Sequence, residues 1–322
     1  MRALPPSRKP SKVDRKPLRS EARRKKPTVL TQIDHLVVAT DDLEVAQAQC
    51  VALLGRSPSC SGDHPGSGTR HVIFRLANTC VELRAPGGEG QGAEELSAHL
   101  AAEGPGLFAL ALATEDAGAA VTALHGRGLS PGEAAETLAH DDPSGAFRRS
   151  LSARLPAKDT RGIRLFIVEH LSEPELLPLA LPVGEADAVV ERVDHVVLMT
   201  RQPDQAVAFY GEQLGIRLAL DRTFEKRGLR LLFFRLGGTT LEISAPIGER
   251  AELGASETDV DHDQLWGVAY SVADADAARA RMLAAGLKAS EVREGHKPGT
   301  RVFTVKENPL GVPTLVIQPS AA

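Results

Sequence analysis

Ile33-Asp34-His35-Leu36-Val37-Val38-Ala39-Thr40 returns 160 residues later as Val193-Asp194-His195-Val196-Val197-Leu198-Met199-Thr200. The offset holds without a gap for Leu54-Gly55 and Leu214-Gly215, for Phe74-Arg75-Leu76 and Phe234-Arg235-Leu236, and for Ala85-Pro86 and Ala245-Pro246. A chain that repeats itself in this way is two copies of one folding unit, each long enough to bury its own core. Apolar alternation in the quoted stretch predicts a strand with His35, Val37 and Ala39, or His195, Val197 and Met199, on one face. Both copies keep a glutamate 47 positions after the histidine, Glu82 and Glu242. Any chemistry is therefore to be sought at a duplicated His/Glu pair.

After the first strand of each copy, Asp41-Asp42 and Pro203-Asp204 open a helix, and Gly55 and Gly215 stand where a left-handed C-cap is expected. A β-hairpin follows, 70–76 with 79–84 and 229–236 with 239–244, the second turned by Gly237-Gly238. With one more strand before the hairpin, each copy reads β-α-β-β-β. The rhythm runs again after Pro86 and Pro246. Strands are expected at 107–114 and 266–272, helices at 117–127 and 274–285, and later strands at 147–155, 163–168, 301–306 and 314–318. The expected fold is α+β, four βαβββ modules in two pairs. A tail over 1–30 precedes a first domain over 31–170, a proline-bearing linker over 171–190 and a second domain over 191–319.

Composition narrows the function classes. No stretch approaches the length of apolar sequence that a membrane helix needs, and no secretory leader pattern follows the start, so the expectation is a cytoplasmic protein without membrane contact. Cys50, Cys60 and Cys80 are odd in number and form no CxxC pair, which fits free thiols in a reducing compartment. Residues 1–30 carry eleven Lys/Arg against Asp14 and Glu21, while the remainder holds 27 basic and 40 acidic residues. That basic segment reads as a disordered, solvated extension and gives no specific nucleic-acid site, since no aromatic interleaves its charges.

A βαβββ module that opens with Asp-His on its first strand, closes with Glu on its fourth and occurs in pairs resembles the vicinal oxygen chelate superfamily. That group contains glyoxalase I, extradiol dioxygenases, fosfomycin-resistance transferases and bleomycin-resistance proteins. The first half is also similar to the glyoxalase-like branch through His64-Pro65-Gly66-Ser67-Gly68-Thr69 ahead of its hairpin. The resemblance implies two half-open barrels, each formed by a pair of modules around a cup. Metal ligands would come from the first and fourth strands of the paired modules. His35 with Glu82, and His195 with Glu242, match these positions, and such donors suit Fe²⁺, Mn²⁺, Ni²⁺ or Zn²⁺ with sites left for substrate oxygens.

The second and fourth modules depart from that pattern. Ala109 and Gly267 stand where the first-strand His is expected, and Phe166 and Leu315 where the last-strand Glu is expected. Each cup keeps two of four ligands, so a working metal site needs a third donor. In the first cup His71 is the leading candidate, ahead of His64 and Glu169-His170; in the second, His262 or His296 must reach in. Three roles stay open for each pair: metal ligation, a hydrogen-bonded couple lining a pocket, and metal-free acid/base work in which the carboxylate orients the imidazole; Glu82 and Glu242 are the catalytic candidates.

Arg75 and Arg235, at matching hairpin positions, are candidates to clamp a substrate carboxylate, and Trp266 to stack on a planar ligand. Asp34 and Asp194 are expected to alternate away from the cup and to back the histidines or serve the structure. The glycine-rich 86–92 and its counterpart after Pro246 are expected as mobile loops at the rim. The expected function is a glyoxalase- or dioxygenase-like protein acting on a small oxygenated molecule, a metal-dependent lyase, isomerase or dioxygenase. The alternative is a cofactor-free protein of bleomycin-resistance type that binds or sequesters a small molecule. Either form would be a monomer or homodimer.

Overall fold

The computed structural model of the protein describes residues 29–249 and 262–320. Most of the basic tail, 1–28, lies outside the described residues, as do 250–261. The first module comprises β1 (Gln32–Ala39), α1 (Leu43–Leu54), β2 (Cys60–His64), β3 (Thr69–Arg75) and β4 (Cys80–Pro86). Asp42 caps α1 by accepting from the Glu44 and Val45 amides, and Gly55 ends it at φ 67°, as the sequence pattern predicts. A helix α2 (Gln91–Glu103) then leads into the second module: β5 (Gly106–Ala113), α3 (Ala117–His125), β6 (Ala135–Asp141), β7 (Phe147–Leu155) and β8 (Leu165–His170).

The second half repeats the plan. Its third module has β9 (Val190–Met199), a short α4 (Pro203–Ala206) continued as a wider π-turn over Val207–Gln213, then β10 (Arg217–Phe224), β11 (Leu229–Leu236) and β12 (Thr239–Pro246). Its fourth has β13 (Gln264–Val272), α5 (Ala275–Ala284), β14 (Arg293–Glu294), β15 (Arg301–Val305) and β16 (Thr314–Gln318). In both halves the first strands of the paired modules lie side by side. Val37 faces Ala109 across β1 and β5, and Val197 faces Gly267 across β9 and β13.

The two sheets end differently. The first closes into a barrel in the order β1-β4-β3-β2-β6-β7-β8-β5, whereas the second is an eight-stranded sheet running from β10 to β14. Closure rests on the short β2–β6 contact, Gly62 with Asp141 and Asp63 with His140. A Cβ on Gly62 would lie 1.9 Å from the His140 carbonyl oxygen, so only glycine allows the strands to meet. The second half carries Arg222 at the matching position.

Two arginines join the halves by the same device used twice. Arg281 of α5 donates to the carbonyls of Ala52, Leu53 and Ala188 at 2.6, 2.7 and 2.9 Å. Arg127, just past α3, donates to the Leu214 carbonyl at 3.1 Å. Each thus serves the terminal carbonyls of the other half's first helix, groups that lack partners within the helix. The glycines beside them, Gly55 and Gly215, again differ by the repeat offset. Arg161 adds a bidentate ion pair to the fully buried Asp263, which also accepts from the Tyr210 hydroxyl.

Segment 171–190 is tied along the first barrel. The Ser57 amide donates to the Leu181 carbonyl, the Val183 amide to the Gly55 carbonyl and the Ala180 amide to the Arg75 carbonyl. One expectation is corrected here. The stretch 86–92, expected as a mobile rim loop, is a packed lead into α2: Gly87 donates to the Gly68 carbonyl and Ala93 to the Ser67 carbonyl. α2 lays Leu96 on Val37, Ala39, Phe108 and Ala109 over the barrel. The counterpart after Pro246 lies largely outside the described residues.

Candidate functional site

Strand pairing decides which side chains share the barrel interior. Directly paired residues project to one face, and the face alternates along each strand. Glu82 pairs with Val37 on β1 and Ile73 on β3, Arg84 with His71, and His71 with Gly62 on β2. His35, His64, His71, Glu82 and Arg84 therefore converge although they come from four strands.

Glu82, 2% exposed, is the centre of the group. Its Oε1 accepts from His64 Nε2 at 3.0 Å and from Arg84 Nε at 2.7 Å, and its Oε2 lies 3.5 Å from His35 Nε2. Burial by itself would raise the carboxyl's pKa. The Arg84 charge, with His64 and His35, outweighs it and holds the group well below the usual carboxylate range. His71 is fully buried, and desolvation takes its pKa down to about 3, so the ring is neutral. Its Nδ1 has no hydrogen-bond partner among the described residues.

Asp34 corrects a second expectation. It does not alternate away, because β1 carries a bulge between Ile33 and His35. Its Oδ2 accepts from His35 Nδ1 and its Oδ1 from His170 Nε2, both at 2.7 Å. These bonds and charges overcome burial and hold the Asp34 carboxyl far below its ordinary range. The bond to His170 in turn raises the imidazole's pKa against desolvation. A neutral His35 that donates Nδ1–H to Asp34 turns the lone pair of Nε2 toward Glu82 Oε2. Two acceptors face each other, an arrangement that favours a proton or a cation between them.

His64, His71 and Glu82 each offer a donor atom within 4.8 Å of the others. Two imidazoles and a carboxylate form a donor set that fits a divalent transition ion, and the His71 Nδ1 is left without a protein partner among the described residues. All three lie on β2, β3 and β4 of one module. The family pattern spreads ligands over two modules, whereas here the sequence-based candidates His71 and His64 join Glu82 within one. Glu169 accepts from the Ala117 amide at the start of α3 instead of entering the site.

The second cup holds the same couple with fewer neighbours. His195 Nδ1 donates to Asp194 Oδ1 at 2.8 Å, and its Nε2 lies 3.7 Å from Glu242 Oε2. Burial raises the Glu242 pKa, with His195 opposing and the Asp194 charge adding to it. At the repeat offset His64 and His71 become Phe224 and Leu231, and Arg84 becomes Ser244. The sequence-based third donors lie elsewhere: His262 packs on Gly162, and His296 Nε2 accepts from Arg227 at 2.9 Å. No third donor joins His195 and Glu242 among the described residues.

The remaining candidates are placed as follows. Arg75 donates to the carbonyls of Pro174 and Leu177, which turns its guanidinium to segment 171–190. Arg235 is exposed near Asp194. Trp266, 51% exposed, stands at a bulge in β13. Arg84 was legible as the inward neighbour of Glu82 at i+2, a signal the pairing arithmetic contains but the motif does not. No helix among the described residues is long and apolar enough to cross a membrane.

A family model described as a glyoxalase-like domain matches residues 33–187. A second, described as the glyoxalase/bleomycin resistance protein/dioxygenase superfamily, matches residues 194–304. Ethylmalonyl-CoA/methylmalonyl-CoA epimerase of Cereibacter sphaeroides is 36% identical over 62 residues, 19% of this chain and 46% of that protein. The match thus spans about half the length of this curated relative. Among solved structures, a triple mutant of 4-hydroxymandelate synthase from Streptomyces coelicolor is similar with a TM-score of 0.61 and 14% identity, covering 91% of this chain and 94% of that one. A hypothetical protein from Staphylococcus aureus gives 0.61 and 9% over 90% and 100% of the two chains. At these identities the solved structures speak to the fold.

Proposed function

Starting from the chain's place as a two-domain member of the vicinal oxygen chelate superfamily, we propose that the first barrel is an enzyme centre for a small oxygenated molecule. His64, His71 and Glu82 would hold a divalent ion there, with His35 beside them. The observation that carries this reading is the convergence of these three donors, with His71 buried and its Nδ1 unpartnered among the described residues. When bound, such an ion supplies Lewis acidity toward a substrate carbonyl or enediol oxygen. Asp34 fixes the tautomer of His35 so that Nε2 faces the cup and can take or return a proton. The short match to an epimerase supports proton movement at a stereocentre over oxygen insertion. The second cup, with two donors, serves recognition or support in this reading.

Metal analysis of anaerobically purified protein tests it. About one equivalent per chain is expected, lost in Glu82→Gln and His71→Leu and kept in His195→Ala. One observation favours a second reading: Arg84 already supplies Glu82 with a cation. Wild-type protein that takes up no metal under any condition would leave the first barrel as a metal-free binding pocket of bleomycin-resistance type.

A further inference from the structure

The barrel interior holds one more charge that the metal site does not use. Arg148 on β7 pairs with Ala139 on β6, two residues from Asp141, and Asp141 pairs with Gly62 and thence with His71. Arg148 therefore faces inward on the wall beside His71. Its Nη2 donates to Cys60 Sγ at 3.5 Å, and the same sulfur lies 4.0 Å from His71 Nε2. Cys60 is a buried free cysteine, and its sulfur is a weak acceptor.

No carboxylate among the described residues pairs with Arg148, and its buried Nε has no hydrogen-bond partner. The other arginines near the site are engaged: Arg84 with Glu82, Arg75 with backbone carbonyls, and Arg154 with Glu95. An unpaired guanidinium inside a barrel is costly unless an anion completes it. Its planar fork suits a carboxylate. Asp141 Oδ1, buried and also without a partner, lies on the same inner face and can accept from a hydroxyl.

We infer that Arg148 is the recognition group for a substrate carboxylate, and that the first cup takes small carboxylic acids rather than neutral carbonyl compounds. The carboxylate sits on Arg148 against the β2–β6–β7 wall, and the oxygen-bearing carbon is directed toward His64, His71 and Glu82. This rests on the first barrel being the working site. It does not require the metal.

Calorimetric titration of the full chain with pyruvate and with its neutral isostere pyruvamide tests the inference. Ligands this small bind in about the millimolar range. Pyruvate should bind about 10- to 100-fold more tightly than pyruvamide, and Arg148→Gln should remove that preference while Arg148→Lys restores part of it. Equal binding of acid and amide by the wild type overturns the inference, and needs no variant to fold. So does an unchanged preference in Arg148→Gln, or failure of pyruvate, lactate and succinate all to bind. Metal content measured on the same samples separates the two readings: carboxylate preference without metal sinks the metal centre alone, and metal without carboxylate preference sinks the Arg148 assignment alone.

Discussion

Replacing His71 by Leu, the residue that the second half carries as Leu231, should stabilise the metal-free protein and abolish its metal uptake. His71 is fully buried and neutral, and its Nδ1 lacks a partner among the described residues. Its Nε2 has only the Cys60 sulfur at 4.0 Å. A buried polar nitrogen left unpaired costs about 1–3 kcal/mol. Leucine removes that cost at nearly the same volume, so His71→Leu should gain about 1–2 kcal/mol in a chelator. For a chain of this size that is a rise in Tm of roughly 1.5–3 °C. An ion present at about one hundred times its Kd adds about 2.7 kcal/mol to the parent and nothing to the variant. The order of the two melting curves should therefore reverse between EDTA and metal-loaded buffer, read by scanning calorimetry. A variant that melts below the parent in EDTA would show that Nδ1 has a partner, and one that keeps the metal-induced shift would show that His71 is not a ligand.

Three further outcomes follow from the geometry. Acid below about pH 4 should destabilise the protein, because the Asp34 and Glu82 carboxyls are held below their ordinary values of 3.8 and 4.5 in the fold. Their contribution is complete above those values and is lost as pH falls through the folded-state ones, so Asp34→Asn and Glu82→Gln should flatten the acid limb of a stability–pH curve. His170, raised by Asp34, acts in the opposite sense: its contribution is complete below about 6.5 and fades as pH rises through its folded value. Gly62→Val should prise β2 from β6, costing about 2–3 kcal/mol in urea titration and weakening metal uptake; an unchanged midpoint would mean that the contact does not close the barrel. Arg281→Ala strips three hydrogen bonds from the α1 carbonyls and Ala188 and should cost about 2–4 kcal/mol, whereas Arg301→Ala, which breaks an exposed pair with Asp276, should melt like the parent within error.

The sequence alone carries the duplication, the βαβββ order and the two His/Glu couples, since each is written in a short stretch whose alternation and caps act locally. Asp42, Gly55 and the His35–Glu82 spacing need no distant partner to be read. α2 was missed because its approach is glycine-rich, although Ala93, Leu96 and Leu100 follow helical spacing. What only the tertiary structure decides is the company the couples keep. His64 and His71 join Glu82 through cross-strand register, and Asp34 reaches His35 and His170 because a bulge breaks the alternation. Arg148 comes beside Cys60 because Gly62 lets β2 meet β6, across 88 residues of chain. The second cup differs by Phe224, Leu231 and Arg222, ordinary strand residues in sequence. Their effect appears only in the pairing, because one inward side chain decides whether a donor enters the cup and whether two strands can touch.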